Sequence, residues 1–123
     1  MRYSHRRLEG IFRNLPGIVF RCRNDAHWTM ELLSPGVAAI TGYCAEDLLQ
    51  NRLLSYASLI EPQDRERVYA EVQRAIDVGE RYDIEYRIRD RDGRVRWLME
   101  RGSASGGDES GLVEVEGFIT EIT

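Results

Sequence analysis

Tyr82-Asp83-Ile84-Glu85-Tyr86-Arg87-Ile88-Arg89-Asp90-Arg91-Asp92-Gly93-Arg94-Val95-Arg96-Trp97-Leu98-Met99-Glu100-Arg101 is the stretch that decides the fold. Tyr82, Ile84, Tyr86 and Ile88 alternate with polar residues, the period of a half-buried strand. Asp92-Gly93 predicts a hairpin with a type I′ turn, which needs positive φ at both central residues. On the returning strand Trp97 and Leu98 are neighbours and therefore point to opposite faces, yet both are apolar. Val95 and Met99 share the parity of Trp97, so the second face is apolar too and calls for a cover. After Ser105-Gly106-Gly107-Asp108-Glu109-Ser110-Gly111 a third strand runs from Leu112 to Thr123.

Working back from the hairpin, Glu61-Pro62 starts the longest helix, with Val68, Val72, Ala75 and Ile76 on one face and Gly79 as the stop. Ser34-Pro35 predicts the N-cap and first residue of a short helix closed by Gly42. Ala45 to Leu49 gives one more helical turn, with Asn51 at its exit. Ile18 to Arg23 and Trp28 to Leu33 read as two strands around an Asn24-Asp25-Ala26 turn. Tyr3 to Leu15 is an amphipathic helix candidate with Leu8, Ile11, Phe12 and Leu15 on one face, ended by Pro16-Gly17. It serves equally as a cover for its own sheet or as a dimerisation helix. The order predicts an α+β domain: a five-stranded antiparallel sheet with short helices on one face and the N-terminal helix capping the other. Residues 1–15 form that helix and residues 16–123 the domain.

A chain of 123 residues builds a single core. A hydrophobic fraction of 42% with 31% charged residues is globular, and a net charge of -4 gives no support for nucleic-acid binding. Every basic residue is arginine. Cys22 and Cys44 stand apart without CxxC spacing or a histidine partner, so neither a zinc site nor a disulfide framework is indicated. Unpaired thiols suit a reducing cytoplasm, and no apolar run is long enough to insert in a membrane. No P-loop, HExxH motif or Ser–His–Asp order is present, which argues against an enzyme.

Several short elements follow one another along the chain: Val19-Phe20-Arg21, Leu33-Ser34-Pro35, Ile40-Thr41-Gly42-Tyr43, Glu46-Asp47-Leu48, Leu59-Ile60-Glu61-Pro62-Gln63-Asp64-Arg65, Glu85-Tyr86-Arg87, Asp92-Gly93, Arg96-Trp97 and Gly117-Phe118-Ile119-Thr120-Glu121-Ile122-Thr123. In this order and at these spacings they together resemble a PAS domain of the bacterial sensory-box type. Three positions depart from that pattern: Glu61 in place of histidine, Gln63 in place of aspartate, and Glu121 in place of the aspartate of a terminal Asp-Ile-Thr. The resemblance implies a sensory and docking module, not a catalyst. It would pass a state to a C-terminal output domain of the same polypeptide, of histidine kinase or diguanylate cyclase type, with Glu121 and Thr123 at the signal exit. The alternative is a ligand-free interaction or dimerisation module.

The resemblance leaves the cofactor open but argues against two. Haem-binding relatives use a histidine on or near the long helix; here the histidines are His5 and His27. Covalent flavin chemistry needs a cysteine after the short helices, where this chain has Leu48-Leu49-Gln50-Asn51-Arg52-Leu53-Leu54. What remains is an apolar interior, either packed core or a pocket for a small apolar or amphipathic ligand. Its candidate lining is Phe20, Ile40, Tyr43, Leu48, Ile60, Val72, Ile76, Tyr86 and Ile88. A homodimer is expected through Leu8, Ile11, Phe12, Leu15 and the outer face at Trp97. Gly106-Gly107-Asp108-Glu109-Ser110, close to a cyclase signature, is ordinary loop chemistry between strands. The arginines from Arg87 to Arg101 read as a docking face or as a solvated ladder paired with Glu85, Asp90 and Glu100.

Overall fold

A computed structural model describes residues 16–106 and 112–122. The expected helix Tyr3–Leu15, with Leu8, Ile11, Phe12 and Leu15, lies outside the described residues, as do 107–111 and Thr123. Strands β1 (Ile18–Arg23), β2 (Met30–Leu33), β3 (Tyr82–Arg89), β4 (Val95–Ser105) and β5 (Glu114–Ile122) form one sheet in the order β2-β1-β5-β4-β3, every pair antiparallel. Between β2 and β3 the chain makes helices α1 (Val37–Thr41) and α2 (Ala45–Leu48), a 3-10 turn at Tyr56–Leu59, and helix α3 (Pro62–Val78). The α+β architecture expected from the sequence is the one observed.

Alternation holds along β3, where Tyr82, Ile84, Tyr86 and Ile88 are buried and the arginines and acids between them are not. Leu98, opposite Tyr86, is fully buried, whereas Trp97 keeps 48% of its surface exposed. The core fills from Ile18, Phe20, Leu98 and Ile119 of the sheet and Val37, Leu48, Val68 and Val72 of the helices. Each aliphatic side chain buried this completely contributes on the order of 1.5–3 kcal/mol.

Helix α3 starts where Glu61-Pro62 predicts and stops at Gly79, whose φ of 70° is the left-handed conformation glycine accepts readily. Its N-terminus also closes the open edge of β3. The Glu61 amide donates to the Arg87 carbonyl (2.9 Å), and the Arg67 guanidinium donates to the Glu85 carbonyl (2.8 Å). The Asp64 carboxylate accepts from the Arg87 amide (2.9 Å) and from two guanidinium nitrogens (3.0 and 2.8 Å). The edge of β3 is thereby occupied at Glu85 and Arg87.

Three local expectations are corrected. Strand β2 begins at Met30, because Trp28 takes a φ of 51° that no strand accommodates. Ser34 does not cap α1; Gly36 does, while the buried Ser34 hydroxyl accepts the Val19 amide (2.8 Å) across the β1–β2 pair. The hairpin is not type I′: only Gly93 has positive φ (83°). Its amide donates to the Asp90 carbonyl and the Asp90 amide donates to Arg94, giving a three-residue loop with glycine at its left-handed position.

Candidate functional site

Alternation places Glu100 on the same face as Leu98, so β4 carries a carboxylate into the core. The ladder sets it between Ile84 of β3 and Ile119 of β5. Tyr82 donates to one of its oxygens (2.5 Å) and Tyr86 to the other (2.7 Å). Tyr56, from the 3-10 turn, lies 2.8 Å from the Tyr86 hydroxyl. Since Tyr86 gives its own proton to Glu100, Tyr56 is the donor of that bond. Beside this chain is a cavity of about 10 Å3 lined by Cys22, Trp28, Met30, Ile60, Val68 and the Glu100–Tyr56 end of the network. That is the room of one water molecule.

Burial pushes the Glu100 carboxyl above the usual glutamate range, against the opposing pull of the two tyrosine bonds. Burial and then the Glu100 charge push Tyr56, Tyr82 and Tyr86 far up, and do the same to the Cys22 thiol. All four therefore keep their protons, and Glu100 is the member of the cluster whose charge can change. No cationic side chain bonds to it among the described residues.

A second constellation sits where the chain leaves the sheet. Arg96 donates to Asp90 (2.7 Å), to Glu121 (3.1 Å) and to the Ala39 carbonyl (3.3 Å), tying the hairpin, the end of β5 and α1 together. Burial alone would push the Asp90 carboxyl up. The Arg94 amide and the Arg96 guanidinium outweigh it and hold the group below the carboxylate range. An open groove of about 400 Å3 borders Asp83, Arg101, Phe118 and Glu116, whose charges are already matched as Arg101–Asp83 and Arg21–Glu116 pairs.

Of the residues read from sequence as a pocket lining, Phe20, Ile40, Leu48, Ile60, Val72, Tyr86 and Ile88 are buried, and Tyr43 and Ile76 are packed against them. Ile60 borders the cavity; Tyr86 reaches it through Tyr56 and Glu100. Cys22, Trp28, Met30, Tyr56, Val68 and Glu100 were not anticipated there. Glu100 is the chief correction: it does not pair with arginines on a solvated face but accepts two tyrosine hydroxyls inside. The hairpin arginines mostly have carboxylate partners, Asp64 for Arg87, Glu61 for Arg89, Asp90 and Glu121 for Arg96, and Asp83 for Arg101.

The profile of the PAS fold family matches residues 31–119. The chain belongs to that family. A methyl sulfide methyltransferase-associated sensor of Methanosarcina acetivorans is 30% identical over 107 residues, which is 86% of this chain and 10% of the sensor. The chain thus spans about a tenth of the length of this relative. A PAS domain from Colwellia psychrerythraea superposes with a TM-score of 0.78 at 18% identity, covering 98% of both chains. A sensory box histidine kinase/response regulator from Burkholderia thailandensis superposes with a TM-score of 0.66 at 27% identity, covering 100% of this chain and 86% of that one.

As a PAS domain the chain is of a sensory, typically non-catalytic kind. Its three departures from the family pattern sit at junctions. Glu61 caps α3 through its backbone and pairs with Arg89 (2.9 Å), Gln63 is exposed in the first turn, and Glu121 meets Arg96 in spite of its extra methylene. His27 lies on an exposed loop and Cys44 is exposed ahead of α2. Among the described residues no helix is long and apolar enough to cross a membrane.

Proposed function

We propose that this PAS domain is a sensor whose core state biases a C-terminal output domain of the same polypeptide, of histidine kinase or diguanylate cyclase type. The observation that carries the reading is the position of β5. It is the middle strand of the sheet, it forms the ladder partner of Glu100, and its last turn is pinned by Glu121 to Arg96 and so to the hairpin and α1. A change beside Glu100 reaches the exit strand through one ladder step. Glu121, followed by Thr123, is then the point where the state leaves the domain. The signal is a small apolar or amphipathic ligand taken between sheet and helices, with Met30, Ile60 and Val68 as apolar wall and Glu100 as the placed polar group.

The small volume of the cavity favours a second reading, a ligand-free module that positions or dimerises its neighbours through the outer sheet face. Amide NMR of the chain during a screen of small amphipathic compounds separates the two. Binding that moves Trp28, Met30 and β5 resonances together supports the sensor. Absence of any binder, with a tightly packed core and a stable dimer in native mass spectrometry, supports the interaction module.

A further inference from the structure

A carboxylate in this position faces two incompatible demands. Ionised, Glu100 uses the protons of Tyr82 and Tyr86 well, and the chain Tyr56 to Tyr86 to Glu100 runs in one direction. It is then a buried charge with no cation against it among the described residues, which costs several kcal/mol in an apolar surrounding. Protonated, it is neutral, but the cluster then holds one hydrogen-bond donor too many. If the new O–H points at Tyr82, the Tyr82 proton loses its acceptor. The water-sized cavity borders the carboxyl and not Tyr82, so a new O–H aimed into it has a place while a displaced Tyr82 proton must turn elsewhere. The smallest cation that relieves the buried charge is a proton, and the space beside Glu100 has the room of one water molecule to deliver it.

Among the described residues the groups facing Glu100 come from six elements and one loop. Strand β3 supplies Tyr82 and Tyr86, the 3-10 turn Tyr56, and β1 Cys22. Strand β5 presents Ile119, β2 Met30, α3 Val68 and the β1–β2 loop Trp28, none of which titrates. In the ion pairs Asp64–Arg87 of α3 and β3 and Asp90–Arg96 of the hairpin the charges are matched within each pair. Tyr82 also couples the site to β5. Its hydroxyl stands over Gly102 of β4, where a Cβ would come within 2.5 Å of it, and Gly102 is the ladder partner of Gly117 on β5. Moving that hydroxyl therefore changes the packing on β4 at the residue that pairs with the exit strand.

We propose that Glu100 is a proton-binding site within the core, and that its occupancy shifts Tyr82 against Gly102, the ladder partner of Gly117, and is read out by β5. The proton comes from bulk water by way of the cavity and joins a carboxylate oxygen; the Tyr82 hydroxyl then rotates away from that oxygen. The proposal deepens the sensor reading by making the proton its signal or co-signal.

The test is a pH titration of the intact chain by carboxyl-carbon NMR with glutamate labelling, alongside amide spectra. The resonance lost in Glu100→Gln is assigned to Glu100. It is expected to titrate above the ordinary glutamate range, with the amides of Gly102, Gly117 and Ile119 moving at the same midpoint. Glu100→Gln is expected to abolish that amide transition. Tyr82→Phe, which removes one bond favouring the ionised form, is expected to move the midpoint further up and to keep the site measurable where Glu100→Gln folds poorly. A midpoint in the ordinary range, or β5 amides that ignore it, overturns the proposal. Ligand binding measured separately on the same sample reports on the sensor reading, so the two can fail independently.

Discussion

An alanine at position 102 would set its Cβ 2.5 Å from the Tyr82 hydroxyl and 2.9 Å from the Glu116 carbonyl, one of which is backbone and cannot yield. Tyr82 would have to withdraw from Glu100. Gly102→Ala is therefore expected to cost about 1–3 kcal/mol in urea unfolding, with Tyr82→Phe relieving part of the loss because the clashing oxygen is gone. Glu100 itself yields a sign. Its carboxyl titrates higher in the folded chain than in the unfolded one, so in the window between the two values the native state holds the extra proton. Stability then falls as pH rises through that window, and is fully present below it. Glu100→Gln should flatten this slope and gain on the wild type toward neutral pH; chemical denaturation across pH checks it. Glu100 was legible in the sequence by parity with Leu98, two positions away. Charge argued the other way, and propensity reasoning gave solvent to a residue that alternation had already placed inside.

At the scale of elements, the strands and the long helix follow from period and punctuation, and the misses follow from side chains that found better work. Ser34 has the profile of an N-cap, yet the hydroxyl serves the Val19 amide because β1 and β2 bring that amide to it. Asp92-Gly93 has the profile of a type I′ turn, yet Asp90 accepts from the amides of Asp92 and Arg94 and organises a longer loop that needs only one left-handed residue. Neither partnership exists until the sheet forms. The junction of α3 with β3 carries its own prediction. The Arg87 guanidinium bonds hold the Asp64 carboxyl below its ordinary range, so this pair contributes stability above that range and loses it as pH falls through the folded value. Asp64→Asn should be less stable than wild type at neutral pH, and the difference should vanish in acid. Opposite pH trends for Asp64→Asn and Glu100→Gln would separate the edge from the core; a parallel response would show the edge pair to be energetically silent.

For the whole molecule the outstanding surface is the outer face of the sheet. Val95 and Trp97 are 47% and 48% exposed, and Met99, Phe118 and Ile122 continue the patch half-buried. The Arg87 guanidinium lies 5.2 Å from the Trp97 ring centre, a cation–π contact that shields one side of the indole only. An apolar area of this kind on a small domain is ordinarily covered. Gly17 stands hard against Phe118, which puts Pro16-Gly17 on this same face. A homodimer built from the Leu8–Ile11–Phe12–Leu15 stripe and the Trp97 face uses both features. Sedimentation should then show a wild-type dimer that Trp97→Glu converts to monomer, and that Ile11→Glu with Phe12→Glu converts equally. Core stability separates this from simple unfolding, because Trp97 points away from Leu98 and its replacement leaves the Glu100 network untouched. A wild type that is monomeric at high concentration, with Trp97 fluorescence already quenched and blue-shifted by its own N-terminal segment, would make the stripe a cover for its own sheet and end the dimer proposal.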